Sequence, residues 1–136
     1  MGLQTSYRTR IRFGETDAAG IVHYPNYFKW FDTGTHGLLR MGEAPGRDER
    51  GAPRFPLPIV ECGATFLAPL QYDEEIEVVS TVAALGESSL RVEHEVRTLA
   101  GKTCARGFEQ RVFVTLASGR PAKAPIPPEL RAHLEG

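Results

Sequence analysis

A carboxylate lies a short distance upstream of a predicted helix start. Asp17 belongs to a polar segment between Gly14 and Gly20, and a helix is expected to begin near Tyr24 and Pro25, since proline at the first helical position loses no hydrogen bond. The first N–H groups of a helix have no partner inside it and together carry roughly half a positive charge. They can polarise a carbonyl while Asp17 attacks it or activates a water against it. The segment therefore holds the parts that acyl transfer needs.

The same aspartate also has a structural interpretation. An aspartate in a loop before a helix often caps a turn or the helix itself. Residue types alone do not decide between capping and catalysis at Asp17.

The elements that would position this loop follow from the spacing of apolar residues. Residues 5–13 alternate, with Phe13 on the same face as the other apolar side chains, and predict a strand with one buried face. From Pro25 onward the helical period predicts one apolar face. Gly34 and Gly37 cost this helix about 1 kcal/mol each relative to alanine but permit close packing against a sheet. The apolar face consists of Tyr27, Trp30, Phe31, Gly34, Leu38 and Met41, with Gly42 as the predicted C-cap.

Four more strands are predicted after an exposed loop at Glu43–Pro56. Their apolar residues alternate, and Gly86 and residues 99–102 form the turns between them. A short C-terminal helix is expected to begin at Pro128. The strands are Pro58–Leu67, Glu75–Leu85, Ser89–Thr98 and Thr103–Leu116, the last marked by Phe108, Val112, Val114 and Leu116.

This order of elements predicts the fold class. Strands joined by short turns are mostly antiparallel, and one amphipathic helix is the natural cover for one face of their sheet. We therefore expect an α+β protein in the hot-dog arrangement, an antiparallel sheet wrapped around one long central helix. Its 136 residues are expected to form a single domain, residues 1–136.

Composition excludes several classes of function. Seventeen acidic and sixteen basic residues give a net charge of −1, so neither nucleic acid nor a membrane surface is an expected partner. No run of ~18 apolar residues is present to span a membrane, and the N-terminus lacks the apolar stretch of a secretory signal. Two distant cysteines favour a reduced, cytoplasmic setting. The histidines and cysteines lack metal-ligand spacing, and no phosphate-binding loop occurs, so neither metal nor cofactor is expected.

The segment FGETDAAGIVHYPNYFKWFD, from Phe13 to Asp32, resembles the signature of the 4-hydroxybenzoyl-CoA thioesterase family. Its part D-x-x-G-I-V-x-Y-P-N-Y, Asp17 to Tyr27, resembles the branch that acts on aromatic acyl-CoA, as does PIVECGATFLAPLQYDEEIEV from Pro58 to Val78. The resemblance implies a hot-dog acyl-CoA thioesterase that hydrolyses a thioester to a carboxylic acid and free coenzyme A. The expected acyl group is aromatic and 4-hydroxybenzoyl-like. A single copy of such a fold would leave an open sheet edge and half a pocket, so we expect a homodimer or homotetramer.

The resemblance assigns roles to individual residues. Asp17 matches the catalytic nucleophile or general base, and the backbone N–H of Tyr24 matches the donor to the thioester oxygen. Asp32 falls where the aromatic branch uses a carboxylate of the neighbouring subunit to meet the para-hydroxyl of the substrate. Its alternative role is that of a solvated helix residue. Glu61 is a candidate for the pocket lining, or else a charge at the sheet edge.

The sequence departs from the family pattern at two places. His23 occupies a position where the aromatic branch has a bulky aromatic residue, and we expect it to be a pocket wall or a surface residue. The segment LGESS, Leu85–Ser89, lacks the basic residues that this branch uses on coenzyme A phosphate. The remaining cation candidates are expected to be solvated strand or turn residues: Arg91, Arg106, Arg111 and Arg120.

Three other functions stay open at this stage. One is a thioesterase for short-chain acyl-CoA, and another is a non-catalytic module that binds acyl thioesters. The third is a dehydratase acting on 3-hydroxyacyl thioesters, which would pair a histidine with an acid in a pattern that Asp17 and His23 do not match.

Overall fold

Five antiparallel strands and one long helix make up the main body of the fold. The structure is a computed structural model that describes residues 2–40 and 55–136. The sheet has the strand order β1-β3-β4-β5-β2, and every neighbouring pair is antiparallel. These strands are β1 (Gln4–Arg10), β2 (Ile59–Phe66), β3 (Glu75–Leu85), β4 (Ser89–Thr98) and β5 (Thr103–Val112).

Two helices and a small ribbon complete the described residues. The long helix α1 (Pro25–Leu39) lies against one face of the sheet, mostly over β3 and β1. The ribbon consists of β6 (Val114–Thr115) and β7 (Ala122–Lys123), and the chain ends in α2 (Pro128–Glu135). The predicted antiparallel sheet with one long helix is therefore confirmed, as is the C-terminal helix that begins at Pro128.

Helix α1 buries the face that its sequence pattern predicts. Tyr27, Trp30, Phe31, Gly34 and Leu38 are all buried. The helix ends at Leu39, and Arg40 has an extended backbone. The predicted Met41 end of the apolar face, the predicted C-cap at Gly42 and nearly all of the predicted loop 43–56 lie outside the described residues.

Strand β2 is one residue shorter at each end than predicted, and two other strands differ more from their predicted bounds. The first ends at Arg10 instead of residue 13, because the chain turns into a 3₁₀ helix at Phe13–Glu15; Phe13 is 75% exposed instead of buried. The fourth of the later strands breaks after Val112, and Leu116, predicted to lie inside it, is exposed beyond the ribbon strand β6.

The buried face of β5 carries charge. Its fully buried residues include Glu109 and Arg111, whereas Phe108 and Val112 are only half-buried. The expectation that Arg111 is solvated is therefore wrong: its side chain is 6% exposed. The physical reason is that Glu109 accepts a hydrogen bond from Arg111 Nε at 3.1 Å, and paired charges tolerate burial that single ones do not.

A polar layer crosses the core between two apolar clusters. One cluster lies around Trp30, Phe31 and Leu70, and the other joins α2 to the far ends of α1, β3 and β4. Along β3 the inward residues run from apolar to Ser80 and back to apolar, and β4 does the same at His94. The layer consists of Thr35, Ser80, His94, Glu109 and Arg111, all buried.

The helix approaches this layer through a glycine. A Cβ on Gly34 would overlap with Ser80 Oγ, which is hydrogen-bonded to His94 Nδ1 at 2.7 Å. At Gly37 a Cβ would meet Thr5 Cγ2 at 3.4 Å, which is ordinary van der Waals contact. The expectation of close packing is therefore met at Gly34, whereas Gly37 faces more open space.

These two glycines should respond oppositely to alanine. Gly34→Ala should lower the free energy of unfolding by about 1–3 kcal/mol, because the new methyl must displace Ser80 or lift the helix. Gly37→Ala should leave stability unchanged or raise it by up to about 1 kcal/mol, since alanine is the better helix former. Urea unfolding of both variants measures this difference. Equal destabilisation by the two substitutions would contradict the close contact at Gly34.

Candidate active site

The loop that precedes α1 is fixed by a network of backbone hydrogen bonds. Asp17 N–H donates to Ile21 O at 2.9 Å, and Gly20 N–H donates to Asp17 O at 2.9 Å. Val22 N–H donates to Leu70 O at 2.9 Å, which ties the loop to the segment between β2 and β3. Gly20 has a φ of 81°, a conformation in which glycine carries no steric penalty. The loop therefore presents Asp17 in a defined place.

Asp17 uses one carboxylate oxygen for the loop and keeps the other free for chemistry. Its Oδ1 accepts a hydrogen bond from Ala19 N–H at 2.8 Å, which forms an Asx turn. The structural interpretation of Asp17 as a turn cap is therefore correct as far as it goes. The side chain is exposed, and Oδ2 accepts no hydrogen bond from residues 2–40 or 55–136.

The start of α1 supplies a hydrogen-bond donor next to this carboxylate. Tyr24 has helical backbone angles and is followed by Pro25 at the first helical position. Its carbonyl accepts from Tyr27 N–H at 3.2 Å, but its own N–H has no acceptor in the described part of the chain. An unpaired N–H at a helix start is suited to bind a developing negative charge.

Asp17, His23 and Tyr24 line one cleft of about 390 Å³. The rest of its wall is apolar, from Tyr27 on the helix and from residues 66–70 after β2. Burial raises the pKa of Tyr27 to about 12, so its hydroxyl stays protonated at neutral pH. His23 is exposed at the cleft, and its ring packs edge-on against Tyr24 with 5.2 Å between the ring centroids.

Asn26 is a site residue that the sequence interpretation missed. It is buried, and its Nδ2 donates to Glu15 O at 2.9 Å and to His23 O at 3.1 Å. These bonds connect the 3₁₀ helix before Asp17 to the first turn of α1. The signal was present in the sequence, because Asn26 lies inside the Y-P-N-Y motif.

The other two predicted site residues lie away from the cleft. Glu61 is exposed on β2 opposite Gln110 and does not line the cleft. Asp32 lies two turns along α1, with its side chain 51% exposed, and its Oδ1 accepts from Arg111 Nη2 at 2.8 Å. His36 Nε2 lies 3.6 Å from the same oxygen. Asp32 is thus neither fully solvated nor part of the cleft in its own chain.

The remaining candidate cations are on the surface. Arg106 and Arg120 are exposed, and Arg91 lies 4.3 Å above the ring of Phe108. The turn at Gly86 has no cation of its own, but Arg131 of α2 donates to Gly86 O and, at 3.3 Å, to Glu87 O. Within residues 2–40 and 55–136 no three His, Cys, Asp or Glu side chains are grouped to hold a metal ion. None of the described helices is long and apolar enough to cross a membrane.

Comparison with known proteins assigns this chain to a family. The model of the thioesterase-like superfamily matches residues 11–134. The chain belongs to this superfamily. The 4-hydroxybenzoyl-CoA thioesterase of Pseudomonas sp. (strain CBS-3) is 33% identical over 121 residues, 83% of this chain and 84% of that protein. The 1,4-dihydroxy-2-naphthoyl-CoA hydrolase of Synechococcus sp. (strain RCC307) is 31% identical over 135 residues, 92% of this chain and 96% of that protein.

The superfamily also contains closely similar solved structures. That of a gentisyl-coenzyme A thioesterase has a TM-score of 0.80 and 33% identity, and the alignment covers 97% of this chain and 100% of that one. The hot-dog fold and the resemblance to the 4-hydroxybenzoyl-CoA thioesterase family, both predicted from the sequence, are thereby confirmed.

Within the buried polar layer, Glu109 is held ionised by its partners. Burial alone would raise the pKa of Glu109, but hydrogen bonds with His94, Arg111 and Thr35 outweigh it and lower the pKa from 4.5 to about 2. A carboxyl whose pKa is lower in the folded state stabilises the fold at pH values above its unfolded pKa. This contribution is therefore fully present above about pH 4.5 and is lost as the pH falls through 2.

We expect Glu109 to account for part of the acid sensitivity of the fold. The free energy of unfolding should fall between about pH 4.5 and 2, by on the order of 3 kcal/mol from this carboxyl. Glu109→Gln should be less stable at pH 7 and should lack that share of the pH dependence. Urea unfolding across this pH range measures both. The control Glu93→Gln, at an exposed carboxylate, should keep the wild-type slope; an unchanged slope in Glu109→Gln would contradict the assignment.

Proposed function

We propose that this chain is an acyl-CoA thioesterase that hydrolyses the thioester of a hydroxylated aromatic acid. The observation that carries the proposal is that one cleft at the start of α1 is lined by both Asp17 and Tyr24, and that among the described residues the Oδ2 of Asp17 and the N–H of Tyr24 have no hydrogen-bond partner. The relatives support the chemistry, since they are named as thioesterases or hydrolases of CoA thioesters. We take residues 1–136 as one catalytic domain.

The geometry supports separate roles for the N–H of Tyr24 and the carboxylate of Asp17. The thioester oxygen accepts from Tyr24 N–H, which stabilises the negative charge that develops on it. Asp17 takes a proton from a water, and the resulting hydroxide adds to the carbonyl carbon. The carbon–sulfur bond then breaks, and the proton held by Asp17 passes to the departing thiolate to give the acid and the thiol of coenzyme A. Direct attack by Asp17, followed by hydrolysis of the mixed anhydride, gives the same products from the same positions.

The acyl group is proposed to carry a ring hydroxyl. The three relatives are named for 4-hydroxybenzoyl, 1,4-dihydroxy-2-naphthoyl and gentisyl groups, all of which are hydroxylated aromatic acids. The apolar wall around Tyr27 and Phe66 suits a ring. A carboxylate such as Asp32 suits its hydroxyl, and pairing these groups is worth about 1–3 kcal/mol when water is excluded.

The Asp32 that meets that hydroxyl is proposed to come from a second copy of the chain. Within one chain, Asp32 does not line the cleft that contains Asp17 and Tyr24. Its Oδ1 instead accepts a hydrogen bond from Arg111 Nη2. We therefore propose that the site lies between two subunits, with Asp17 and Tyr24 from one and Asp32 from the other.

The edge of the sheet supports assembly into a dimer or a dimer of dimers. Strand β2 is at the edge and pairs only with β5 among the described strands. Apolar residues at both of its ends are exposed, at Ile59, Val60, Phe66 and Leu67. An unpaired apolar edge is unfavourable in water, and Phe66 and Leu67 also border the cleft. Free thiols at Cys62 and Cys104 support the proposed cytoplasmic setting.

Asp17→Asn tests the chemistry directly. Asparagine keeps the Oδ1 acceptor of the Asx turn, so the loop should hold its shape, while the base or nucleophile is lost. Turnover should fall by roughly 10²–10⁴-fold, measured as thiol release from 4-hydroxybenzoyl-CoA. Asp73→Asn is a matched control, because it is an exposed aspartate whose φ of 72° asparagine also tolerates.

Turnover close to wild type in Asp17→Asn would sink the assignment. A screen over benzoyl-, 4-hydroxybenzoyl-, phenylacetyl- and straight-chain acyl-CoA separates the alternatives. Preference for straight chains would indicate a short-chain thioesterase. Binding without thiol release would indicate a non-catalytic module, and hydration or dehydration without thiol release would indicate a dehydratase.

Mixing subunits tests the shared site. Asp32→Ala alone should reduce the preference for hydroxybenzoyl- over benzoyl-CoA by about tenfold, the equivalent of 1.36 kcal/mol. When unfolded and refolded together with the inactive Asp17→Asn chain, it should regain that preference, because each mixed dimer contains one intact site. Light scattering should show at least a dimer. A monomeric active protein, or a mixture without recovery, would contradict the shared site.

A further inference from the structure

The guanidinium of Arg111 connects the core to the surface of α1. Nε donates to Glu109 Oε1 at 3.1 Å, Nη1 donates to Leu57 O at 2.9 Å, and Nη2 donates to Asp32 Oδ1 at 2.8 Å. The Arg111 side chain is 6% exposed and that of Asp32 is 51% exposed. Three acceptors in different directions fix the planar group, so its outward N–H points at Asp32.

Glu109, which anchors Arg111, is itself contacted from several sides. Thr35 of α1 donates to Glu109 Oε1, and His94 Nε2 lies 3.5 Å from the same oxygen. His94 is fixed in turn by Ser80 Oγ at 2.7 Å and by the ring of Phe31, stacked at 4.7 Å. Thr35, Glu109, His94 and Ser80 belong to the buried polar layer, and Phe31 packs against it. The network therefore has little freedom to rearrange.

Asp32 is not needed to balance charge in this network. The Glu109 carboxylate is already paired with Arg111, and the outward N–H of Arg111 could be met by water at the surface. A carboxylate on an exposed helix face ordinarily samples several rotamers, and ordering it on binding costs conformational entropy. Here the hydrogen bond from Arg111 already holds Asp32 Oδ1 in place before a substrate binds. Oδ2 accepts no hydrogen bond from any described residue.

We propose that Arg111 is a positioning residue for substrate specificity, which acts by orienting Asp32 of its own chain toward the ring hydroxyl bound in the cleft of the partner. This inference rests on the role proposed for Asp32. Glu109, Thr35, His94 and Ser80 form the support that keeps Arg111 in place. The acyl groups that benefit carry a hydroxyl that can donate to Oδ2; an unsubstituted ring gains nothing from the arrangement.

The test is a double-mutant cycle on substrate preference. The quantity is the ratio of kcat/KM for 4-hydroxybenzoyl-CoA to that for benzoyl-CoA. Arg111→Lys keeps the charge but cannot reach three acceptors with one ammonium group, so the ratio should fall about five- to tenfold. In the Asp32→Ala background, Arg111→Lys should change the ratio no further, because Arg111 acts through Asp32. The control Arg10→Lys, whose ion pairs are exposed, should keep the wild-type ratio.

A double variant keeps the inference testable if Arg111→Lys folds poorly. Replacing the buried pair together, Glu109→Gln with Arg111→Met, removes both charges at similar volume, which proteins often tolerate. It should show the same fall in the ratio. Equal losses for the two substrates, or a further fall in the Asp32→Ala background, would overturn the inference. A wild type active on both substrates without hydroxyl preference would also overturn it while leaving the thioesterase intact, whereas a wild type with no thiol release from any substrate would overturn both.

Discussion

The buried ion pair between Glu109 and Arg111 is the interaction on which the packing of α1 against the sheet depends. Two charges in a core are costly unless each finds partners, and here Thr35 of the helix and His94 of the sheet both contact Glu109. The helix can supply its share only by lying close to the sheet, which Gly34 permits. The contacts that stabilise the buried charges therefore also determine how closely α1 packs against the sheet.

Helix α1 is anchored at its start and at its middle by different means, and the proposed acyl-transfer chemistry takes place at its start. At its start, Asn26 donates hydrogen bonds to Glu15 O and His23 O, and the N–H of Tyr24, a residue that lines the cleft, has no acceptor among the described residues. Two turns later, Arg111 reaches the helix surface from the polar layer at Asp32. A rigid helix held at both places keeps the donor of one site and the carboxylate proposed for a neighbouring site at a fixed separation.

Local patterns predicted most of the elements because alternation and helical spacing follow burial directly. Strands β3 and β4 have their predicted bounds, and the buried face of α1 is the predicted one as far as it is described. The hydropathy pattern predicts the wrong orientation where the buried side chains are charged. In β5 the apolar Phe108 and Val112 face the more open side, while Glu109 and Arg111 face the core, and hydropathy assigns such charges to solvent.

The sequence by itself determined the order of elements, the place of Asp17 before a helix start, and the membership in a thioesterase family that its motifs indicate. These depend on residues close together in the chain. Only the tertiary structure decided which strands are neighbours, that Glu61 lies away from the cleft, and that Asp32 is tied to Arg111, 79 positions away. Such contacts follow from how the sheet closes over the helix, since a buried charge takes its partner from whichever strand the packing places beside it.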